Sequence, residues 1–314
     1  MTETASNTSA SGLEVESSSA SPDSSTPQYY TRITPTHGWA SLKLRELWDY
    51  RELLFFLAWR DVKVRYKQTV LGAAWAVLVP LFTMVVFNVL FGLLMGAQGK
   101  PTLEGVPYAI AAYTALVPWQ MFATSMGQSS NSLVTNRNMI TKVYFPRLIA
   151  PLAPILSALV DFLIAFSILF VLIAFYHMWT DFTFVFSWRL LALPLFVGLA
   201  IITALSLSLW LSAANALYRD VRYVIPFLVQ VLMFLSPVVY TTNSIMKPDT
   251  PAWIQIVYNL NPLAGVLQGF RWCLFGQPQI EIWSILASLI GVIVLLVGGA
   301  YYFRRMERLF ADLA

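Results

Sequence analysis

Charged residues are scarce in this sequence. Asp, Glu, Lys and Arg make up 11% of its 314 residues, whereas hydrophobic residues make up 58%. Soluble domains carry about 25% charged residues, so this chain lacks the polar side chains that cover a globule in water. The composition argues against an ordinary soluble protein and indicates a polytopic membrane protein.

The side chains that build catalytic or metal centres are also few. The single cysteine, Cys273, excludes an intramolecular disulfide framework and a cysteine-clustered zinc site. His177 and Asp181 stand four residues apart, but two ligands do not make a metal site. The segment Gly96–Thr102, GAQGKPT, lacks the spacing of a phosphate-binding loop. We therefore expect no catalytic residues, no bound metal and no cofactor in this chain, and no nucleic-acid partner.

The first 36 residues differ from the remainder in composition. They are rich in Ser, Thr and Pro, as in SSSASPDSSTP, and contain almost no large apolar side chains. Such a segment cannot bury enough surface to offset the entropy of ordering, and it has no apolar core of a signal peptide. The sequence predicts a disordered tail over 1–36 and one membrane domain over 37–314.

Six apolar stretches approach the 17–25 residues that a membrane-spanning helix requires. They are Val70–Met95, Tyr108–Leu133, Leu148–Met178, Leu190–Leu217, Val224–Tyr240 and Ile282–Phe303. An even number of spans places both ends of the chain on the same side of the membrane. The fold class predicted is therefore an all-α membrane protein with six transmembrane helices.

The basic residues fall almost entirely on one side of this arrangement. Four of the 20 Lys and Arg lie in the segments on the other side: Lys100, Arg189, Lys247 and Arg271. The remaining sixteen are Arg32, Lys43, Arg45, Arg51, Arg60, Lys63, Arg65, Lys67, Arg137, Lys142, Arg147, Arg219, Arg222, Arg304, Arg305 and Arg308. Because cytoplasmic loops carry the excess of Lys and Arg, both termini are predicted to be cytoplasmic.

Two further segments have distinctive patterns. From Leu44 to Arg65, apolar and aromatic residues recur at helical spacing between charged ones, which predicts an amphipathic helix lying in the headgroup region. From Thr241 to Glu281, Pro and Gly separate two short apolar pieces, Trp253–Leu260 and Leu263–Phe275. Neither piece is long enough to cross, so we expect a pair of re-entrant helices before the last span.

Asp161 lies about thirteen residues into the third span, or ~20 Å along a helix. A carboxylate at this depth is costly and faces the bundle interior or a water path. It is interpreted as a hydrogen-bond acceptor for neighbouring Ser, Thr or Arg side chains. A pathway wall and a proton relay are the alternatives, the second disfavoured because no other ionisable group lies at that depth.

The segment TNRNMITKVYFPR, between the second and third spans, combines basic residues with apolar ones. A short amphipathic helix at about Asn136–Phe145, ended by Pro146, would suit docking into a groove of a soluble partner. The alternative is an ordinary basic loop. The residue pattern alone does not separate the two.

Four segments together carry a resemblance to a known family. They are WRDVKVRYKQTVLGAAWAVLVPL, NRNMITKVYFPR, YRDVRYVIPFLVQVLMFLSPVVY and NPLAGVLQGFRWCLFG, in this order along the chain. From about Leu44 to Phe310 the sequence resembles the membrane subunits of ABC-2-type exporters, in the branch that exports O-antigen, capsule or teichoic-acid polysaccharides. The Ser-rich tail is not part of the resemblance.

The resemblance implies a homodimer that works with two copies of a separate cytoplasmic ATPase, which binds the ATP and magnesium. It implies an interface helix near Leu44–Arg65, a coupling helix near Asn136–Phe145 and a second contact at Tyr218–Arg222. Closure and separation of the ATPase subunits would rock these helices and open a channel. The residues expected to transmit the motion are Arg60, Asp61, Arg137, Lys142, Tyr144, Arg219 and Asp220.

A polysaccharide on a lipid carrier needs a wide path with flat surfaces for its sugar rings. Aromatic side chains of the first and fifth spans and of the re-entrant segment supply candidates: Trp75, Phe82, Phe87, Phe91, Phe227, Phe234, Tyr240, Trp253, Tyr258, Phe270 and Trp272. Other aromatics are expected to face lipid or the membrane interface.

Three other functions remain open from the sequence. An ABC-2 exporter of a smaller lipid or drug would have the same topology. A membrane-embedded transferase requires a cluster of acids, histidines or metal ligands at one membrane face, and none is visible in the sequence. Proton-coupled transport is disfavoured by the isolation of Asp161.

Overall fold

The described part of the chain folds into helices, most of which are joined by short turns. The computed structural model describes residues 44–67, 69, 72–95, 103, 105–240, 250–276 and 282–310. The predicted tail 1–36, the segment Gly96–Thr102, and the segment 241–249 fall outside the described residues. Within the described part there is no β-strand beyond an isolated bridge between Leu103 and Val106.

Eleven α-helices and one 3₁₀ turn cover these described ranges. They are α1 Leu44–Asp49, α2 Arg51–Lys67, α3 Ala74–Met95, α4 Tyr108–Thr135, α5 Arg137–Lys142, α6 Ile149–Trp179, the 3₁₀ turn Trp188–Ala192, α7 Leu193–Leu217, α8 Val221–Leu235, α9 Ala252–Leu260, α10 Pro262–Phe275 and α11 Ile282–Phe310. A helix lies at each of the six predicted spans. Two short helices, α9 and α10, lie where the re-entrant pair was predicted.

Four segments are long and apolar enough to cross a membrane: Ala74–Phe91, Ile149–Trp179, Trp188–Leu217 and Trp283–Glu307. Helix α8 is apolar but has only 15 residues. Helix α4 has 28 residues, but Gln, Ser, Thr and Asn side chains lower its hydropathy. The all-helical class is confirmed. Six spans were predicted, and four of the described helices are both long enough and apolar enough to cross a membrane.

Helix α4 occupies the centre of the fold, packed between α6 and α7. Its buried positions run along almost its whole length and are dominated by Ala, Ser and other small residues, with Tyr113 and Phe122 among the larger ones. Small side chains let helix backbones approach closely in membrane bundles. The hydroxyl of Ser129 donates to the carbonyl of Pro151 on α6. The buried serines of α4 therefore lie inside the bundle and not on a water-exposed face.

Asn261 joins α9 to α10 and fixes both to the bundle. Its side-chain oxygen accepts from the Leu263 amide at 3.0 Å, which caps the start of α10. Its amide nitrogen donates to Leu235 O at 3.2 Å and Ser236 Oγ at 3.1 Å, at the end of α8. Ser288 on α11 donates to the Asn261 carbonyl at 2.9 Å. One asparagine thus connects four helices, α8 to α11.

Arg271 on α10 is 2% exposed, and among the described residues its side chain binds backbone carbonyls and no carboxylate. It donates to Ala111 O at 3.3 Å, Val238 O at 2.9 Å and Tyr240 O at 3.0 Å. The planar guanidinium presents several donors in a fixed geometry, so one side chain holds the start of α4 and the turn after α8 together. Arg271 was predicted within the re-entrant piece Leu263–Phe275, and the structure adds that its side chain is buried.

Replacing Arg271 by Met is expected to destabilise the fold. The substitution keeps a long, unbranched side chain but removes the donor to the Val238 and Tyr240 carbonyls, each costing about 1–3 kcal/mol before relaxation, whereas the Ala111 carbonyl keeps its helical partner. We expect the purified protein to lose about 2–5 kcal/mol of stability, seen as a clear fall of the apparent unfolding temperature in detergent.

Lys63→Met is the matched control, because Lys63 is an exposed cation on α2. Its unfolding temperature should stay near that of the unaltered chain. Equal unfolding temperatures for Arg271→Met and the unaltered chain would show that the three carbonyl contacts contribute nothing.

Candidate coupling surface and its connections

The turns that the charge pattern assigned to one side lie together at one end of the helix bundle. Arg60 on α2 donates to Asn136 Oδ1 at the start of α5 at 3.1 Å. Arg147, before α6, donates to the Glu307 carbonyl near the end of α11. Residues of α5 and of the α7–α8 turn line one cleft. These contacts bring α2, α5, the start of α6, the α7–α8 turn and the end of α11 close to one another, while the predicted alternation of spans stays a prediction.

Helix α5 is shorter than the coupling helix predicted over Asn136–Phe145. It ends at Lys142, and Val143 is extended, with φ −129° and ψ 131°. Phe145 precedes a proline, and a residue in that position is biased away from helical backbone. The result is a six-residue helix followed by an extended arm, with Phe145 buried.

The extended arm exposes apolar side chains beside basic ones. Tyr144 is 62% exposed and Val143 is 56% exposed. Arg137 and Lys142, at the two ends of α5, are exposed as well. An exposed aromatic side chain next to cations is typical of an interaction site rather than of a plain solvent-facing loop.

A cleft of about 680 Å³ separates α5 from the α7–α8 turn. We call it the arginine cleft. Arg137 and Ile140 line it from α5, and Arg219, Arg222 and Tyr223 line it from the turn and from α8. The two contact regions that were predicted separately are therefore the two walls of one cleft. Three guanidinium groups and several apolar side chains line this cleft.

The predicted interface helix consists of two helices that are joined at Tyr50. Its amide donates to Glu46 O, and its carbonyl accepts from Leu54, both at 3.1 Å. On α2, Leu57 and Ala58 are buried in a cluster with Phe145 and residues of α6. Phe55 and Trp59 are stacked and exposed. The helix therefore has one face on the protein and another face of aromatic side chains, as the predicted interface helix requires.

Helix α2 is tied to α5 by a polar contact as well as by this packing. The Arg60 guanidinium binds the neighbouring Asp61 carboxylate at 2.8 Å and Asn136 Oδ1 at 3.1 Å. Met139 and Ile140 of α5 pack against the Leu57 cluster. Arg60 and Asp61 thus lie on the side of the interface helix that meets α5, and Arg60 binds a protein group there.

Asp161 binds the far end of α2. Its carboxylate accepts from the Arg65 guanidinium and from the Tyr66 hydroxyl. Arg65 also donates to Gln128 Oε1 on α4 at 2.7 Å. The acceptor interpretation of Asp161 therefore matches the geometry, with Arg65 as the arginine and a tyrosine as second donor. Sequence reasoning missed Tyr66, Gln128 and Asn136, although a deep carboxylate does signal that a cation must lie nearby.

Burial lowers the pKa of the Arg65 guanidinium, and the neighbouring Tyr66 and Asp61 oppose the shift. An arginine pKa starts so high that the group stays protonated at neutral pH. The contact with Asp161 is therefore an ion pair, which joins α2 to α6.

The predicted pathway aromatics fall into three groups by exposure. Trp75, Phe82, Phe227, Phe234 and Trp253 are exposed. Phe87, Phe91, Tyr240 and Trp272 are half-buried. Tyr258 and Phe270 are buried, and Phe270 packs edge-on against Phe162 and Phe166. The rings of Tyr258 and Phe270 form part of the protein interior in this chain, because α9 and α10 pack them inward.

Asp161→Asn tests the attachment of α2. The variant keeps an acceptor of the same shape but removes the charge, which weakens the bonds from Arg65 and Tyr66 by about 1 kcal/mol. Amide hydrogen exchange in residues 60–67 should therefore become about fivefold faster. Asp181→Asn, at an exposed position after α6, should leave that exchange unchanged. Identical α2 exchange in both variants would contradict the attachment.

Comparison with known proteins identifies the family. The family model for the ABC-2 type transporter matches residues 52–275. An O-antigen export system permease protein RfbA of Klebsiella pneumoniae is 30% identical over 263 residues, covering 83% of this chain and 95% of that protein. The RfbA permease of Myxococcus xanthus is 27% identical and covers 82% and 93%. The polysialic acid transport protein KpsM of Escherichia coli is 23% identical and covers 67% and 76%.

The matched segment begins in α2 and ends in α10, so it contains α5, the arginine cleft and the Asp161 contacts. It covers more than half of the sequence. The chain belongs to the ABC-2 type transporter family of membrane proteins.

Proposed function

We propose that this chain is the membrane-spanning permease subunit of an ATP-driven exporter that moves a lipid-linked polysaccharide across the bacterial cytoplasmic membrane. The observation that carries the proposal is the match, along nearly their whole length, to permeases named for O-antigen export. The polysialic acid transport protein supports the same cargo class. The family consists of transport subunits, so the chain is not itself expected to be an enzyme.

The proposed topology has six spans, with both termini in the cytoplasm. The four strongly apolar helices supply four of the spans, and α4 and α8 supply the other two. Helix α4 crosses despite its polarity because its buried serines lie within the bundle, between α6 and α7, and Gln120, Thr124 and Gln128 line a cavity inside the protein. Helices α9 and α10 form a re-entrant pair on the outer side, held within protein by Asn261 and Arg271.

Cysteine labelling tests this topology. Cys273 is buried, so Lys142→Cys and Asp181→Cys each introduce one reactive thiol at an exposed position. A membrane-impermeant thiol reagent applied to intact spheroplasts should label Asp181→Cys. It should label Lys142→Cys only after the membrane is opened. Labelling of Lys142→Cys from outside in sealed spheroplasts would refute the proposed topology.

The permease is proposed to act as a homodimer with two copies of a separate ATPase. The arginine cleft, the exposed Tyr144 and the cations of α5 offer a docking surface of suitable chemistry. This surface includes Lys142 on α5 and Arg219 in the cleft, and the exposed Asp220 extends it. Arginine and aromatic side chains are enriched among the residues that contribute most to protein–protein binding.

Motion at α5 has a physical route into the membrane domain. When the ATPase subunits close, they displace α5, and the Arg60–Asn136 contact and the Leu57 cluster carry α2 with it. The contact of Arg65 and Tyr66 with Asp161 then passes the displacement to α6. Packed elements with two discrete arrangements carry such coupling. When α2 and α6 rock in both copies of the permease, the channel between the two copies opens.

The exposed aromatics of α3 and α8 are proposed to line this channel. Their flat faces bind sugar rings without fixing the register of a polymer, which must slide. Trp75, Phe82, Phe227 and Phe234 are exposed in the single chain, and half-buried Phe87 and Tyr240 complete the surface. Trp253 and Trp272 lie on the re-entrant pair near the outer exit.

Cells that lack this chain but make the polymer and the ATPase test the function. The unaltered chain should restore polysaccharide at the cell surface, whereas cells without it should accumulate the polymer inside. Arg137→Ala combined with Tyr144→Ala removes one cation and one exposed ring from the docking surface. We expect this double variant to co-purify about tenfold less ATPase and to export correspondingly less polymer, since a loss of about 0.7 kcal/mol at each of the two positions weakens binding about tenfold.

Lys63→Ala combined with Val64→Ala is the control, because it also removes one exposed cation and one exposed apolar side chain. The control should retain the ATPase and export. Export of a small lipid with no change in surface polymer would contradict the cargo assignment. If the double variant co-purifies as much ATPase as the unaltered chain, the docking surface is wrong, but the cargo assignment stands.

A further inference from the structure

A second cavity lies beside Asp161, away from the arginine cleft. Its volume is about 300 Å³, and residues of α2, the start of α3, α4 and α6 line it. We call it the Asp161 cavity. This volume is at the lower end of the range for small-molecule sites, about 300–1,000 Å³, and corresponds to the space of about ten water molecules at ~30 Å³ each.

The α4 wall of the Asp161 cavity is a polar stripe. Gln120, Thr124 and Gln128 follow one another at intervals of four residues, which places them on one helical face. All three line the cavity, together with the Asp161 carboxylate. A polar stripe along a helix that crosses the membrane is costly unless it meets protein or a wet cavity.

Gln128 has its partner in Arg65, but Gln120 is less well satisfied. Among the described residues, its amide nitrogen makes a long contact of 3.5 Å to Thr124 Oγ1. Gln120 carries both donors and an acceptor, and Thr124 adds a hydroxyl. This pair therefore retains hydrogen-bonding capacity on the wall of the cavity.

An aromatic ring completes the lining. Trp75, at the start of α3, borders the cavity and is 51% exposed. Indole offers a flat apolar face beside the amide, hydroxyl and carboxylate groups of the opposite walls. A ring that carries hydroxyls on its edge and C–H groups on its faces matches both chemistries.

The charge balance separates this ligand from a phosphate. The cationic Arg65 is paired with the anionic Asp161, and the other polar residues of the lining, Gln120, Thr124, Gln128, Tyr66 and Thr69, are uncharged. An anion would meet no net positive charge here, in contrast to the three arginines of the arginine cleft. A neutral, hydroxyl-rich ligand fits the Asp161 cavity.

We propose that the Asp161 cavity binds one pyranose ring of a neutral sugar, held by Gln120 and Thr124 and stacked on Trp75. The proposal rests on the proposed function, since it assigns the cavity to a residue of the exported polysaccharide. The site lies against the Arg65–Asp161 contact that joins α2 to α6, so an occupied cavity braces the same contact through which ATPase motion reaches the bundle.

Protection of a cysteine in the cavity tests the proposal. Thr124→Cys places a thiol on the cavity wall, while Cys273 stays buried. Its alkylation is measured in the complex with the ATPase, in nanodiscs, with neutral methyl hexopyranosides or inorganic pyrophosphate as probes. One of the neutral sugars should slow alkylation by the factor 1 + [sugar]/Kd, about tenfold near ten times Kd. Pyrophosphate should not slow it.

Two variants make this result specific. Gln120→Leu in the Thr124→Cys chain should remove the protection, whereas Gln230→Leu, the same exchange at an exposed position on α8, should retain it. Lys63→Cys, outside the cavity, should be alkylated at one rate with and without sugar. If the sugar protects the Thr124→Cys thiol equally well in the Gln120→Leu and Gln230→Leu chains, the assignment of Gln120 is overturned.

The proposal fails if Thr124→Cys does not react, if no sugar protects it, or if pyrophosphate protects it instead. The measurement requires no export, so its failure is distinguishable from failure of the proposed function. Restored surface polysaccharide without sugar protection would refute the cavity site alone. Sugar protection without polysaccharide export would leave the site in place and refute the cargo assignment.

Discussion

The ion pair between Arg65 and Asp161 is the contact that the rest of this arrangement depends on. A carboxylate within an apolar helix is costly unless a cation and hydrogen-bond donors meet it. Arg65 and Tyr66 meet it from α2, a helix that also carries the contacts to α5. The requirement to neutralise one charge therefore fixes the interface helix against both the bundle and the exposed coupling surface.

The same constraint explains the other polar positions of the bundle. Arg271 has no carboxylate partner among the described residues and instead donates to the Val238 and Tyr240 carbonyls in the turn after α8 and to the Ala111 carbonyl in the first turn of α4. Asn261 likewise binds backbone groups where α8, α9 and α10 end or begin. Helix ends leave carbonyl and amide groups without helical partners. The Asn261 side chain satisfies such groups at the end of α8 and at the start of α10, which allows the short helices to pack against the bundle.

Much of the fold was predictable because apolar length and charge act locally. Helices appear at all six predicted spans, and the α9–α10 pair falls where Pro and Gly interrupt the apolar sequence. The end of α5 was predicted three residues too late, because the extended backbone before Pro146 dominated over the helical pattern of Thr141–Phe145. The inward packing of Phe270 was not predictable, since aromatic residues are equally common in cores and at membrane surfaces.

The sequence by itself determined the apolar helices, the gathering of basic residues in alternate turns and the family. Each depends on composition or on residue order along a single segment. Only the tertiary structure decided that Asp161 pairs with Arg65, that Arg60 contacts Asn136, and that α5 and the α7–α8 turn form one cleft. These partners are 76 to 96 positions apart or lie on different helices, and helix packing, which no local pattern encodes, brings them together.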